Sequence, residues 1–117
     1  MKLSDLSSVS PIDGRYSRLV TELREIFSEY ALIKYRVFVE IEWFIHLSEQ
    51  QNIKELPPLT KQSISFLSKI EKNFNLAEAR KVKNIEKKTN HDVKAVEYYL
   101  RDQFTKSKQL KGLSEFI

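Results

Sequence analysis

The residues best equipped for chemistry lie in the segment Glu86-Lys87-Lys88-Thr89-Asn90-His91-Asp92-Val93-Lys94-Ala95. A polar Thr-Asn-His-Asp cluster stands before Val93, Val96, Leu100 and Phe104, apolar positions that recur at helical spacing. Thr89 followed three residues later by Asp92 reads as a capping-box-like helix start, with an aspartate in place of the usual Glu or Gln. Asn90, His91 and Asp92 are then expected at the mouth of a helix, where unpaired backbone N–H groups and the positive dipole end favour an anion. A histidine so placed can hydrogen-bond a ligand or help transfer a proton. The same residue types also gather at helix starts simply to satisfy orphan donors, so a solvated cap is the competing reading.

A second candidate is Ser10-Pro11-Ile12-Asp13-Gly14-Arg15-Tyr16. Pro11 fixes one dihedral and Asp13-Gly14 is a turn signal, so the segment reads as a loop. Arg15 offers a planar fork of donors suited to phosphate or carboxylate, and Tyr16 adds a hydroxyl. In isolation the segment reads equally as a plain turn carrying a surface arginine.

The elements that must position these residues are helical almost throughout. Leu19, Leu23, Ile26 and Phe27 mark a first short helix. Ser28 can cap a longer one running to about Gln50, with Tyr30, Ile33, Val37, Phe38, Ile41, Phe44 and Ile45 on one side. Ala31, Tyr35, Val39, Trp43 and Leu47 widen its apolar surface, so this helix is expected to be central and packed on more than one side. Arg36 with Glu40 and Glu42 with His46 fall at i, i+4, the spacing of solvated pairs, and His46 is assigned no chemistry. Asn52 to Leu59, broken by Pro57-Pro58, reads as a linker. Thr60 caps a helix bearing Ile64, Leu67 and Ile70, and Asn75 with Glu78 starts another through Leu76, Ala79, Val82 and Ile85. Gly112 closes the last helical stretch.

A length of 117 residues fits one domain with a modest core, and 41% hydrophobic content with 11% aromatics suits a folded chain. Twenty basic against 16 acidic residues leave a formal +4, compatible with an anionic substrate and mild for a nucleic-acid binder. The absence of cysteine excludes disulfides and thiolate metal sites and suits a cytosolic setting. Two isolated histidines do not make a metal site. Gly14 and Gly112, the only glycines, cannot form a phosphate-cradling loop. No apolar run approaches the ~20 residues needed to span a bilayer, and the start does not read as a signal peptide.

Arg80, Lys81, Lys83, Lys87 and Lys88, with Lys94, Arg101, Tyr98 and Tyr99, raise the alternative of a small basic helical module that binds nucleic acid. Glu78, Glu86, Glu97 and Asp102 interrupt that cluster, so a mixed, solvated face is the simpler expectation. A third alternative is a partner-binding module that uses the aromatic helix as a dimer face.

Taken together, Ser10 to Tyr16 and Glu86-x-x-Thr89-x-His91-Asp92-Val93-x-Ala95 resemble the adenylosuccinate lyase family of the fumarase/aspartase superfamily. Phe27-Ser28-Glu29-Tyr30 before the long helix and the closing Leu113-Ser114-Glu115-Phe116-Ile117 extend the resemblance over essentially the whole chain. It implies an all-α fold of about five helices, the N-terminal helical domain of such an enzyme over residues 1–117, with the central bundle and C-terminal domains outside it. It also implies a cytoplasmic homotetramer with shared active sites, no cofactor, a small-molecule nucleotide substrate, and neither nucleic acid nor membrane as partner.

The reaction so implied eliminates fumarate from adenylosuccinate to give AMP, and from the succinyl-carboxamide ribotide intermediate of purine synthesis. A base removes a proton beside a carboxylate and an acid protonates the departing nitrogen. In the family the acid is a histidine of a Thr-His-Gly-Gln segment and the base a serine of a Ser-Ser-x-Met-Pro loop. Neither segment occurs here, where the histidines are His46 and His91 and the one methionine is Met1. No catalytic residue is therefore expected in this chain, which alone should not catalyse. Carried over by position, Arg15 and Tyr16 resemble contacts to the nucleotide, chiefly its phosphate. Asn90, His91 and Asp92 resemble contacts near the reacting end, with His91 orienting the general acid. Phe116-Ile117, an apolar pair without a closing signal, is read as a cut before the bundle domain.

Overall fold

The computed structural model describes residues Met1–Ile117. Five α-helices and three short 3-10 turns account for its regular structure, and there are no strands. The chain divides into two compact units, Met1–Leu32 and Ile33–Ile117.

The first unit begins as consecutive turns. Ser4 and Ser7 close one of them, with the Ser7 and Ser8 N–H groups donating to the Ser4 carbonyl at 3.0 and 2.9 Å. A 3-10 turn, Thr21–Leu23, leads into the single-turn helix α1, Arg24–Phe27, so regular structure starts later than the Leu19 periodicity suggests. Ser28 then starts α2, Glu29–Ser48, as expected: its hydroxyl accepts the Ala31 N–H at 3.1 Å.

The second unit holds the rest of α2 with α3 (Lys61–Lys72), α4 (Leu76–Thr89) and α5 (Asp92–Phe104). Side-chain acceptors start α3 and α4 where the sequence places them. Thr60 Oγ1 accepts the Ser63 N–H at 3.1 Å, and Asn75 Oδ1 accepts those of Ala77 and Glu78 at 2.9 and 3.1 Å. The core joins Val37, Ile41 and Phe44 of α2 to Leu67 of α3, Val82 of α4, and Val96, Leu100 and Phe104 of α5, all at most 1% exposed. Phe44 and Phe104 meet edge to face with centroids 5.0 Å apart. Gln109 ties the C-terminal turns to the start of α3: its Oε1 accepts the Ser63 hydroxyl at 2.6 Å and the Thr60 N–H at 2.9 Å.

Two sequence expectations change. Helix α2 buries only one face here, since Tyr35, Phe38, Val39 and Trp43 remain 46 to 59% exposed. Val93, placed on the α5 stripe by spacing, is also exposed; Ala95 and Tyr99 complete the buried face instead. Val96, Leu100 and Phe104 are buried as the spacing predicts, and only Val93, in the first turn of α5, lies outside the packed face.

Candidate functional site

The α4–α5 turn is built from opposite halves of two helix caps. Asn90 ends α4 in the left-handed region at φ 51°, and its N–H donates to the Glu86 carbonyl at 2.7 Å. Asparagine is among the few residues that visit this region at low cost. His91, not Thr89, is the N-cap of α5: its Nδ1 accepts the Lys94 N–H at 3.1 Å. Thr89 is the last residue of α4, and its Oγ1 accepts the His91 N–H at 3.3 Å, pinning the turn. The capping-box reading thus misplaced the start of α5 by two residues. Histidine is uncommon as a cap, and Thr89 carries the stronger cap signal.

That cap defines what His91 can do. An Nδ1 that accepts a backbone N–H holds no proton, so the neutral ring carries its proton on Nε2. The side chain is 62% exposed, which leaves Nε2–H directed outward as a donor. Asn90 is exposed as well, and its side-chain amide has no hydrogen bond within the chain.

Asp92 has a different part. Its Oδ2 accepts from Arg36 Nη1 at 2.7 Å, joining α5 to α2, and its Oδ1 accepts the Val93 N–H at 2.8 Å. The Arg36 hydrogen bond, reinforced by that backbone donor, holds the Asp92 carboxyl below the usual aspartate range. Arg36 therefore reaches across 56 residues of sequence to Asp92 and not along the helix to Glu40. The helix mouth is consequently less open than its sequence suggests, because the N–H groups of Val93 and Lys94 are already taken by Asp92 and His91. Recognition at this turn falls to the outward His91 and Asn90 side chains, not to bare backbone donors.

Arg15 and Tyr16 lie in the first unit. The Arg15 guanidinium stacks over the Tyr16 ring, 4.6 Å from its centroid, which leaves the edge of the fork free to donate. Beneath them Asp13 Oδ1 accepts the Ser10 N–H at 2.7 Å and the Ser10 hydroxyl at 3.1 Å. The backbone donor of Ser10 is the main reason the Asp13 carboxyl titrates low. Ile12, Asp13, Leu23 and Phe27 line a cleft of about 430 Å³ in the same unit. Arg36 is the site residue that sequence reading missed, for no local pattern links it to Asp92.

Part of the basic cluster is paired in place. Lys81 pairs with Glu78 at 2.7 Å, Lys83 with Glu86 at 2.6 Å, and Lys94 with Glu97 at 2.8 Å. Arg101 reaches Glu97 at 3.0 Å. Tyr99 is buried and donates to Glu78 at 2.8 Å, so it is not available for stacking. No helix is long and apolar enough to cross a membrane.

An all-helical chain of five helices, with a polar turn exposed between two of them, fits the N-terminal helical domain of the fumarase/aspartase superfamily. Over all 117 of its residues the chain is 50% identical to the adenylosuccinate lyase of Haemophilus influenzae and 50% identical to that of Legionella pneumophila. It is 47% identical to the adenylosuccinate lyase of Escherichia coli strain K12. The chain is thus homologous to adenylosuccinate lyases along its whole length, while spanning 26% of the length of each of these relatives. No family model matches it.

Proposed function

We propose that this chain is the substrate-binding N-terminal helical domain of an adenylosuccinate lyase. The enzyme would eliminate fumarate from adenylosuccinate to give AMP and act likewise on the succinyl-carboxamide ribotide intermediate. The observation that carries the reading is identity of 50% sustained over all 117 residues to proteins of that name.

The geometry suits a binding role. Arg15, stacked on Tyr16, offers a charged, planar donor edge to the nucleotide phosphate. His91, its Nδ1 occupied by the cap, offers Nε2–H at the reacting end, where it orients a general acid held elsewhere in the enzyme. Asn90 adds an amide, and Asp92, bound to Arg36, sets the angle between the turn and α2. The catalytic acid and base belong to the domains outside this chain, in a cytoplasmic homotetramer whose subunits share each active site. Proton transfer by side chains suffices for such an elimination, so no cofactor is required.

Expression of the complete reading frame, followed by an assay of fumarate release from adenylosuccinate, tests this. The complete polypeptide should turn over and residues 1–117 alone should not. An inactive complete polypeptide, or an active isolated chain, would refute the proposal.

A further inference from the structure

Helices α3, α4 and α5 border a cleft of about 380 Å³ at the end of the α4–α5 pair opposite the Asn90–Asp92 turn. Helix α4 has 14 residues, so the two places lie about 20 Å apart. Phe66 and Ile70 of α3 give the cleft an apolar wall. Lys69, Lys81 and Lys106 bring three ammonium groups to it, against the one carboxylate of Glu78. The acceptors there are already taken. Glu78 Oε1 accepts from Lys81 Nζ at 2.7 Å, and its Oε2 accepts from the Tyr99 hydroxyl at 2.8 Å. Asn75 Oδ1 accepts the Ala77 and Glu78 N–H groups, and Gln103 Oε1 accepts from Lys106 Nζ at 3.2 Å. The Lys81 hydrogen bond and, less strongly, the Lys106 charge hold the Glu78 carboxyl below the usual carboxylate range, which places Lys106 beside it. These side chains leave donors over: the amide N–H groups of Asn75 and Gln103 and the ammonium groups of Lys69 and Lys106.

We propose that this cleft binds a small, multiply charged phosphate, free or carried on an organic group. Donors spread over three helices suit a ligand with many acceptor oxygens, and a phosphate offers more of them than a single carboxylate. Hydrogen bonds from ammonium groups to such oxygens are the strong, charge-assisted kind. A concave surface with an excess of one charge also concentrates counter-ions. Glu78 opposes an anion less than a free carboxylate would, because Lys81 offsets its charge at 2.7 Å. The volume lies within the roughly 300 to 1,000 Å³ of small-molecule sites. Phe66 and Ile70 would seat the organic group of an ester.

Lysine acylation by N-hydroxysuccinimidyl acetate tests this in the complete polypeptide, read peptide by peptide by mass spectrometry. Sodium chloride at matched ionic strength is the control, and thermal melts check that each variant is folded. Inorganic tripolyphosphate at about 1 mM should slow acylation of Lys69 and Lys106 at least about threefold. Lys54 and Lys72, exposed and outside the cleft, should react at unchanged rates. Lys106→Gln should raise the tripolyphosphate concentration that protects Lys69 at least about tenfold, and Lys69→Gln should do the same for Lys106. ATP as a second probe separates the two sources. Protection at about tenfold lower ATP than tripolyphosphate assigns the site to an organic ester seated on the apolar wall, and equal or weaker protection assigns it to the free ion. Slowing of all four lysines alike would reveal a diffuse counter-ion effect and overturn the proposal. Unslowed Lys69 and Lys106 would overturn it too. So would lysines that fail to react before any anion is added, since the cleft would then already be covered.

Discussion

Arg36 and Asp92, 56 residues apart in sequence, meet at 2.7 Å and fasten the start of α5 to the middle of α2. The contact sits one residue from His91, so the orientation of the polar turn is set by a helix that contributes no other group to it.

Arg36→Ala should let the Asp92 carboxyl rise toward its ordinary range. A carboxyl held low when folded stabilises the fold above its unfolded value and loses that contribution as pH falls through the folded one. Wild type should therefore lose stability in the acid range below about 4, and Asp92→Asn should flatten that loss. NMR titration of Asp92 with acid-unfolding curves of both variants checks this. An unmoved Asp92 titration in Arg36→Ala would show that the backbone donor of Val93 alone sets it.

His91 has a structural and a chemical part that substitution can separate. Loss of the cap in His91→Ala should cost about 1 kcal/mol, while His91→Asn should retain most of it. Both should lower turnover of the complete polypeptide strongly, because neither replaces Nε2–H. Thermal melts and steady-state kinetics together decide; full activity in His91→Asn would reduce the residue to a cap.

Glu71 titrates unusually high. Burial, then the neighbouring Glu42 carboxylate, raises it from an ordinary 4.5 to about 7. Its Oε1 is buried without a hydrogen-bond partner. A raised carboxyl favours the fold while protonated, so its contribution is complete below 4.5 and lost as pH climbs to about 7. Solvent screening at this partly exposed position limits the effect to about 1 kcal/mol. Glu71→Gln should be more stable than wild type at pH 8 and show a flatter stability profile between those values; parallel profiles would exclude Glu71 as the source.

Phe104→Ala should cost about 3 to 5 kcal/mol, since both Phe104 and its edge-to-face partner Phe44 are fully buried. Chemical denaturation measures it. A loss below about 1 kcal/mol would mean that the core collapses around the gap.

Gly14→Ala should disrupt the Arg15 loop. An added Cβ would lie 2.9 Å from the Asp5 carbonyl oxygen, a backbone atom that cannot rotate away. The cost is about 1 to 3 kcal/mol locally, read as faster proteolysis between Ser4 and Tyr16. Unchanged proteolysis would show the loop to be adaptable.

Much of this protein was legible from sequence alone. Hydrophobic spacing identified the long helices, and Ser28, Thr60 and Asn75 marked three of their starts, because caps act through hydrogen bonds to N–H groups only two or three residues away. The acids interspersed from Arg80 to Arg101 likewise marked a mixed face, on which Lys81, Lys94 and Arg101 meet i, i+3 and i+4 neighbours. Tertiary structure alone decided the rest. That His91 caps α5 depends on Asn90 entering the left-handed region, a single dihedral choice that no periodicity records. That Asp92 belongs to Arg36 depends on how α2 and α5 lie together, a long-range geometry that residue spacing does not encode. The half-bare α2 has the same origin: sequence fixes how apolar a helix is on each side, whereas only the assembled chain determines which sides find a partner.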